Sequence, residues 1–571
     1  MTISEDLQKM RADYAYLNED SLKTLSRGYL AEGIPDSELK AAAILRSQEI
    51  VNTAEKILGR PLPAVRLGIR RGWVSPASPV WANFGLPRGL PISCNNSHFD
   101  DTTASIIFKT AEIGMMTKFG AGTSAWLGEL RPEGSPITGG GKSLGPLHFA
   151  RLIQEQVGVI SQANTRRGNA AIYLGIRHPD IHEWLKIKDK GHPIEHLSFG
   201  VCIDDEWMEE FLAEGKGGEK RLLMAKIVTK RRAKGYPYIF FSGNANKARP
   251  DVLKRLGIEI KATNLCTEIM LPSTTDESFV CDLSSVNLLY YDEWKDTRLV
   301  EEMVYLLDAV MTEYVEKIEN LDDAQARLLM NSPLKFAKRW RAVGLGTLGY
   351  HSMLQSKMIP FESEEARALN IEVHKLVGER SVAASREMAV IYGEPEGMKG
   401  TGLRHLCVNA IAPTRSSSVI LGQVSQGIEP ITGNVFENDN AKGVFTDTNQ
   451  ILKAFLFSRG LDTTKVWEEI LRAGGSVQNL CYLTDDEKAV FKTFIEIDQK
   501  EVIRQAADRQ PFVDQGQSLN LTIAPTVSMR DNVDLIVTAW KLGVKSLYYH
   551  NGLNKAQELA REMSSCQACE A

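Results

Sequence analysis

The heptapeptide Thr263-Asn264-Leu265-Cys266-Thr267-Glu268-Ile269 offers an amide, a thiol and a carboxylate at positions i, i+2 and i+4. In an extended segment side chains alternate faces, so this spacing predicts all three groups on one side. On a helix the same spacing spreads them over roughly 200°. Leu265, Thr267 and Ile269 occupy the other face and suit a core. Such a row would bring a hydrogen-bonding group, a redox-active sulfur and a base to one cavity. Taken alone, the heptapeptide is most economically a buried strand with a free cysteine.

Other candidates are scattered. Cys94 lies in Leu90-Pro91-Ile92-Ser93-Cys94-Asn95-Asn96 and Cys281 in Phe279-Val280-Cys281-Asp282-Leu283, both at ends of short apolar runs where strands hand over to loops. Singly, each reads as a small buried hydrophobe. Cys566 and Cys569 form the one CxxC pair, on a polar final stretch. An exposed dithiol there is an oxidation liability unless it is used. Pro413-Thr414-Arg415-Ser416-Ser417-Ser418 precedes the apolar Val419-Ile420-Leu421. Bunched hydroxyls at a helix N-terminus suit a phosphate, or a plain cap without ligand. The loops Gly134–Lys142 and Ala163–Ala170 combine glycines with cations, Arg166 and Arg167 among them. Glycine lets backbone approach a ligand, and arginine forks onto phosphate or stacks on a base, although either loop alone also fits a surface turn. Tyr548-Tyr549 would point to opposite faces of a regular strand. Stacked phenols there need an irregular backbone, which the following His550-Asn551-Gly552 can supply.

The elements that must position these groups follow from the whole chain. Its 571 residues exceed one ordinary core and predict roughly two to four domains, large single α/β barrels excepted. Hydrophobic content of 43% and charged content of 24% are those of a soluble globular protein. A net charge of −5 gives no reason to expect nucleic acid or a membrane as partner. The charged N-terminus has no apolar leader and no later run suits a membrane span, so a cytoplasmic protein is expected. The eight cysteines are then core filler or chemistry, not a disulfide framework. There is no second CxxC and no H-E-x-x-H, which argues against a zinc site. Residues 1–72 read as helical, with a helix ending at Gly59. Beyond them, helix patterns at Leu147–Ser161, Asp205–Gly215 and Leu299–Glu319 alternate with strand patterns at Tyr238–Phe241, Phe279–Leu283, Leu519–Ile523 and Val544–Tyr548. That alternation predicts βα units and parallel strands.

From about Trp73 onward the motifs, in this order, resemble the large catalytic subunit of class I ribonucleotide reductases: Ser78-Pro79 before Cys94, the Asn264–Glu268 run, Cys281, the Thr414–Ser418 loop with Gly427-Ile428-Glu429-Pro430, Tyr548-Tyr549 and the C-terminal CxxC. The resemblance implies an α/β fold, a ten-stranded α/β barrel with Cys266 on a central loop, over residues 73–551, between an N-terminal helical region, 1–72, and a flexible redox tail, 552–571. It implies that Cys266 becomes a thiyl radical, that Glu268 is general base on the substrate 3′-hydroxyl and that Asn264 holds the substrate. Cys94 and Cys281 would be the reducing dithiol, and Cys566 and Cys569 the shuttle serviced by thioredoxin or glutaredoxin. Ser78, Ser93, Thr414, Ser416 and Ser417 would bind substrate. Tyr548 and Tyr549 would relay a radical from a separate small subunit, which carries the metal; none is expected in this chain. Asp101, Arg131 and Arg167 would bind a nucleoside triphosphate effector of the ATP, dATP, dTTP or dGTP type, and the chain would form a homodimer. An N-terminal ATP-cone is not expected, because the chain runs straight into the helical region. Rival readings are a thiol-disulfide oxidoreductase, a silent nucleotide-binding regulator and an adenosylcobalamin-dependent reductase.

Overall fold

The computed structural model describes residues 12–92, 94–160, 168–440, 443–524 and 526–552. Helices at Glu19–Ser26, Leu39–Leu58 and Pro63–Arg71 come first. The second stops where Gly59 turns to φ 65°, a left-handed value that glycine adopts freely. The third starts at Pro63 without a side-chain cap of its own. Glu302 supplies one from the Leu299–Glu319 helix, accepting from the N–H groups of Ala64 and Val65 at 2.7 and 3.1 Å. These N-terminal helices share one continuous apolar core with described residues as far as Tyr549, the 435–491 stretch excepted.

The strands are β1 (Val74–Pro76), β2 (Cys94–His98), β3 (Thr123–Trp126), β4 (Ala170–Gly175), β5 (Ser198–Ile203), β6 (Tyr238–Phe241), β7 (Phe279–Asn287), β8 (Val343–Leu348), β9 (Val435–Asn440), β10 (Gly443–Thr448), β11 (Leu521–Thr522), β12 (Ser546–Leu547) and β13 (His550–Asn551). β2 to β6 pair in sequence order, all parallel. β7 runs antiparallel to β2 and parallel to β8. From β8 the parallel pairing passes to Asn409, from Ile411 to Gln517, and from β11 to β13. β12 then returns antiparallel to β6. The circuit is closed, with ten positions: β2, β3, β4, β5, β6, the 546–551 segment, the 517–522 segment, the 409–411 segment, β8 and β7. Two parallel halves meet at two antiparallel seams, and the expected ten-stranded barrel is what forms. Buried runs such as Ala-Ala-Ile-Tyr-Leu in β4 and Tyr-Ile-Phe-Phe in β6 fit strands covered on both faces.

The Leu299–Glu319 helix and the Tyr238–Phe241 strand fall where their patterns put them. Phe279–Leu283 extends to Asn287, because β1 and β8 both pair with its second half. Leu519–Ile523 and Val544–Tyr548 shrink to two-residue strands, since scattered bonds close the barrel there instead of long ladders. One feature is absent from the sequence reading: residues 435–491 carry a separate apolar cluster of Ile451, Leu452, Phe455, Ile470 and Phe491 among others.

Behind β7 and β8, the Leu299–Glu319 helix contributes a fully buried Asp308. Its carboxylate accepts from Arg341 Nε at 2.8 Å and from Arg404 Nε at 3.0 Å, and lies 3.1 Å from His405 Nε2. Burial alone would raise this carboxyl's pKa, but Arg341, His405 and Arg404 hold it below the usual carboxylate range. The cluster ties the 404–409 segment into the barrel wall. Asp308→Ala leaves the partly buried guanidinium groups of Arg341 and Arg404 without their carboxylate and is expected to cost about 3 kcal/mol of stability by chemical denaturation. Because the folded pKa is depressed, the wild-type contribution is present above the unfolded value of about 4 and fades as pH falls below it. A difference between the two proteins that grows on acidification would refute this assignment.

Candidate functional site

Between β6 and β7, after short helices at Ser242–Lys247 and Asp251–Arg255, the chain threads the barrel as an irregular loop. Both halves of the barrel fasten it through its carbonyls. Thr263 O accepts from Ser124 Oγ in β3 at 2.9 Å, and Asn264 O from Tyr173 Oη in β4 at 2.7 Å. On the opposite side Cys266 O accepts from Ser518 Oγ at 2.6 Å and Thr267 O from Ser546 Oγ at 2.9 Å. Gly516 N–H donates to Glu268 O at 2.8 Å. The tip of the loop is therefore held by main-chain bonds that are indifferent to the side chains it presents.

The extended heptapeptide predicted by period-2 alternation is not what forms. Leu265 and Cys266 lie in a turn closed by Thr267 N–H to Asn264 O at 3.3 Å, and Thr267 takes φ 70°. A β-branched residue pays strain for that left-handed conformation, which the surrounding bonds over-determine. The turn folds residue 264 back on residue 268. Asn264 Nδ2 donates to Glu268 Oε2 at 2.9 Å, and Asn264 Oδ1 accepts from Ile269 N–H at 3.0 Å. Cys266 lies in the turn that this clasp closes and is 7% exposed. Ser518 Oγ also reaches Glu268 Oε2, at 3.2 Å. Burial drives the Glu268 pKa up to about 7, against the lowering influence of the Asn264 and Ser518 hydrogen bonds. The carboxyl is thus poised to exchange a proton near neutrality.

Cys94 and Cys281 stand directly opposite each other across the β2–β7 seam. Opposed residues of an antiparallel pair have Cα atoms about 4.5–5.5 Å apart, within the span of a disulfide. Both thiols are reduced and buried. Cys94 opens β2, as expected of a strand end, whereas Cys281 lies well inside β7. Burial, then the neighbouring Asp282, pushes the Cys281 thiol well above its ordinary pKa, so it stays protonated. Two side chains join this dithiol to the loop. Gln515 Nε2 donates to Cys281 Sγ at 3.6 Å while its Oε1 accepts from Met270 N–H at 3.2 Å. Ser124 Oγ lies 2.9 Å from both Asn95 O and Thr263 O, so its one hydroxyl proton bridges the two carbonyls.

Tyr548 and Tyr549 fall in the break between β12 and β13, where the chain leaves regular strand geometry. Their ring centroids are 4.3 Å apart at 56°. They enlarge into a cluster with Tyr238, 4.7 Å from Tyr548 and 5.1 Å from Tyr549, and with Tyr236, 5.3 Å from Tyr549. Ser546, two residues upstream of the pair, is the residue that bonds the loop at Thr267. Tyr236, Ser518 and Gln515 are absent from the sequence reading, and Tyr238 enters it only as a strand residue; the Tyr236-Pro237-Tyr238 spacing at the start of a buried strand was the available signal.

The Thr414–Ser418 loop differs from a simple cap. Thr414 adopts φ 55° and makes no side-chain cap; its Oγ1 accepts from Gly427 N–H at 2.8 Å, pinning the loop to the Gly427–Pro430 stretch. Ser416 Oγ is buried and has no hydrogen-bond partner among the described residues, so it remains available to a ligand. Ser417 is buried beside it. Ser78 opens the Ser78–Asn83 helix and accepts from Tyr29 Oη at 3.2 Å. On the outer side, Arg131 Nε donates to Asp101 Oδ2 at 2.6 Å in a half-exposed pair. Ser93, Arg167, Cys566 and Cys569 lie outside the described residues. Among the described residues, no group of His, Cys, Asp and Glu side chains is arranged to hold a metal, and no helix is long and apolar enough to cross a membrane.

Comparison with known proteins gives a consistent result. Residues 92–219, 217–401 and 395–550 match the family model described as the ribonucleotide reductase barrel domain. The chain is 34% identical over 525 residues to the ribonucleoside-diphosphate reductase large-subunit homologue of Frog virus 3 (isolate Goorha), covering 88% of this chain and 91% of that protein. It is 30% identical to the ribonucleoside-diphosphate reductase large subunit of Invertebrate iridescent virus 3, covering 84% and 85%. Among solved structures, the Actinobacillus ureae class Id ribonucleotide reductase alpha subunit superposes with a TM-score of 0.87 at 44% identity, covering 97% of this chain and all of that one.

Proposed function

The chain belongs to the ribonucleotide reductase large-subunit family, an oxidoreductase family, and from that premise we propose that it reduces ribonucleoside diphosphates by thiyl-radical chemistry started at Cys266. The observation that carries this reading is the linkage of the reduced Cys94–Cys281 pair, through Gln515 and Ser124, to the loop that bears Cys266. Cys266 takes the substrate 3′-hydrogen. Glu268 accepts the 3′-hydroxyl proton while Asn264 fixes the ribose. The 2′-hydroxyl leaves as water, and the dithiol supplies two electrons and two protons as it closes to a disulfide. Cys266 finally returns the hydrogen to C3′, and Glu268 returns its proton to the 3′-oxygen. Ribonucleotide plus dithiol thus becomes deoxyribonucleotide, disulfide and water, with the radical conserved. A dry, encircling barrel suits such a radical because it excludes water.

Substrate phosphates would rest on Thr414, Ser416 and Ser417, with Ser78 and Ser93 nearer the sugar. Tyr548 and Tyr549 would carry the oxidising equivalent from a metal-bearing small subunit. Cys566 and Cys569 on the 552–571 tail would return electrons from thioredoxin or glutaredoxin by thiol exchange. Asp101, Arg131 and Arg167 would bind a nucleoside triphosphate effector. A homodimer is supported by exposed apolar side chains on the adjoining Thr103–Lys118 and Gly145–Val159 helices, with Ile107 63% and Val159 80% exposed. The decisive assay is CDP reduction with a dithiol reductant, with and without a candidate small subunit. Product is expected only with both proteins present. Reduction supported by adenosylcobalamin without any small subunit would overturn the radical source.

The poised Glu268 gives a second test. kcat/KM for CDP is expected to rise with pH through about 7, because only the carboxylate can act as base. Glu268→Gln should remove that rising limb and lower kcat by about 10²–10⁴-fold. Persistence of the limb in this variant would assign it to another group.

A further inference from the structure

The tyrosine cluster contains a member that the relay reading does not use. Tyr236 is buried, and its hydroxyl lies 3.1 Å from that of Tyr549. On its other side it lies 3.2 Å from Ser198 Oγ, on β5. A phenol has one donor and acceptor capacity to spare, so Tyr236 can bond both groups at once. Its ring is fixed as well, stacked on Phe199 at 5.5 Å and 16°. Above that ring stands the Lys188 ammonium, 4.9 Å from the centroid. Lys188 is itself held: its backbone takes φ 65°, its N–H donates to Ile194 O at 3.1 Å and its Nζ to Glu195 O at 2.7 Å.

Each contact has a consequence for electron loss. A cation over an aromatic face is attracted to the neutral ring and opposes its oxidation. Tyr236 is therefore disfavoured as a resting place for a radical. A fixed hydroxyl at hydrogen-bond distance, by contrast, orients the neighbouring phenolic O–H. We propose that Tyr236 is a positioning residue: anchored by Ser198 and kept reduced beneath Lys188, it holds the Tyr549 phenol in the orientation from which Tyr549 exchanges its electron and proton. This rests on the relay reading of Tyr548 and Tyr549.

The test uses the complete two-subunit enzyme. Tyr236→Phe keeps the ring and removes the hydroxyl. Its kcat for CDP should fall about tenfold, the rate equivalent of one ordinary hydrogen bond, with KM unchanged. A purely structural role would not alter a spectroscopic signature, so Tyr549 is also replaced by 3-aminotyrosine to trap the radical. In D₂O the trapped radical should show an exchangeable deuteron coupling from the neighbouring hydroxyl, and this coupling should vanish in Tyr236→Phe. Tyr549→Phe separates the two claims. If it is inactive while Tyr236→Phe keeps the wild-type rate and coupling, the positioning role is wrong and the relay stands. If Tyr549→Phe is active, the relay reading fails and takes this inference with it. Should Tyr236→Phe not fold, Ser198→Ala leaves both rings in place and frees the Tyr236 hydroxyl. An altered coupling then supports the proposal, and an unchanged one overturns it.

Discussion

Replacing Cys266 by serine is expected to reduce ribonucleotide turnover by more than about 10³-fold, a loss of about 4 kcal/mol or more in transition-state stabilisation, with nucleotide affinity unchanged. The substitution is close to isosteric, and the loop gives it little to disturb. The main-chain bonds from Ser124, Tyr173, Ser518 and Ser546 fix the backbone whatever residue 266 carries. The Asn264–Glu268 clasp closes without the thiol. What changes is the strength of the bond to hydrogen. A thiol S–H is nearly matched to the ribose C3′–H, so transfer runs in either direction, whereas a serine O–H is much stronger. An oxygen radical would not form from the tyrosine pair. Product analysis by chromatography, beside CDP binding by calorimetry, checks both halves. Turnover within tenfold of wild type would move the radical to another residue, and lost binding would make the effect structural.

How far such roles are legible before the fold is known depends on the range of the forces involved. The Leu299–Glu319 helix carries its apolar stripe within itself, and Tyr-Ile-Phe-Phe in β6 is a run that only a buried strand accommodates. Both are visible locally. The turn at Thr267 is not. Its positive φ is imposed by partners 91 to 279 residues away, so no window around Cys266 contains the cause. Period-2 alternation consequently grouped Asn264 with Glu268 for the wrong reason: a clasp, not a strand face, unites them. The Cys94–Cys281 register similarly depends on which strands form the seam, which topology decides and spacing does not. Thr414 looked like a cap, yet its hydroxyl is drawn to Gly427 by a contact that the intervening chain conceals. Motif order compensated for these gaps because it reports an ancestor's solution to the long-range problem. Where order is silent, as at Tyr236, only packing shows the contact.

Tyr548→Phe should also cut turnover below about one thousandth of wild type, a barrier increase of about 4 kcal/mol, while the protein keeps its fold. The ring stays, and with it the packing against Tyr549 at 4.3 Å and Tyr238 at 4.7 Å. The backbone bond from Tyr548 N–H to Leu519 O at 2.8 Å, part of the barrel closure, is untouched. Loss of one hydroxyl with its packing intact costs only about 1 kcal/mol of stability. Phenylalanine has no phenolic hydrogen to give up, so on the proposed relay an oxidising equivalent would have no way forward through residue 548 to Cys266. Position makes this step hard to bypass. The pair lies two residues beyond Ser546, which is bonded to the Cys266 turn at Thr267 O. The variant should therefore bind CDP and small subunit normally and leave the small subunit's radical unspent on mixing, observed by electron paramagnetic resonance. Substrate-dependent decay of that radical at the wild-type rate would show that the equivalent travels another way, and would detach the tyrosine cluster from catalysis.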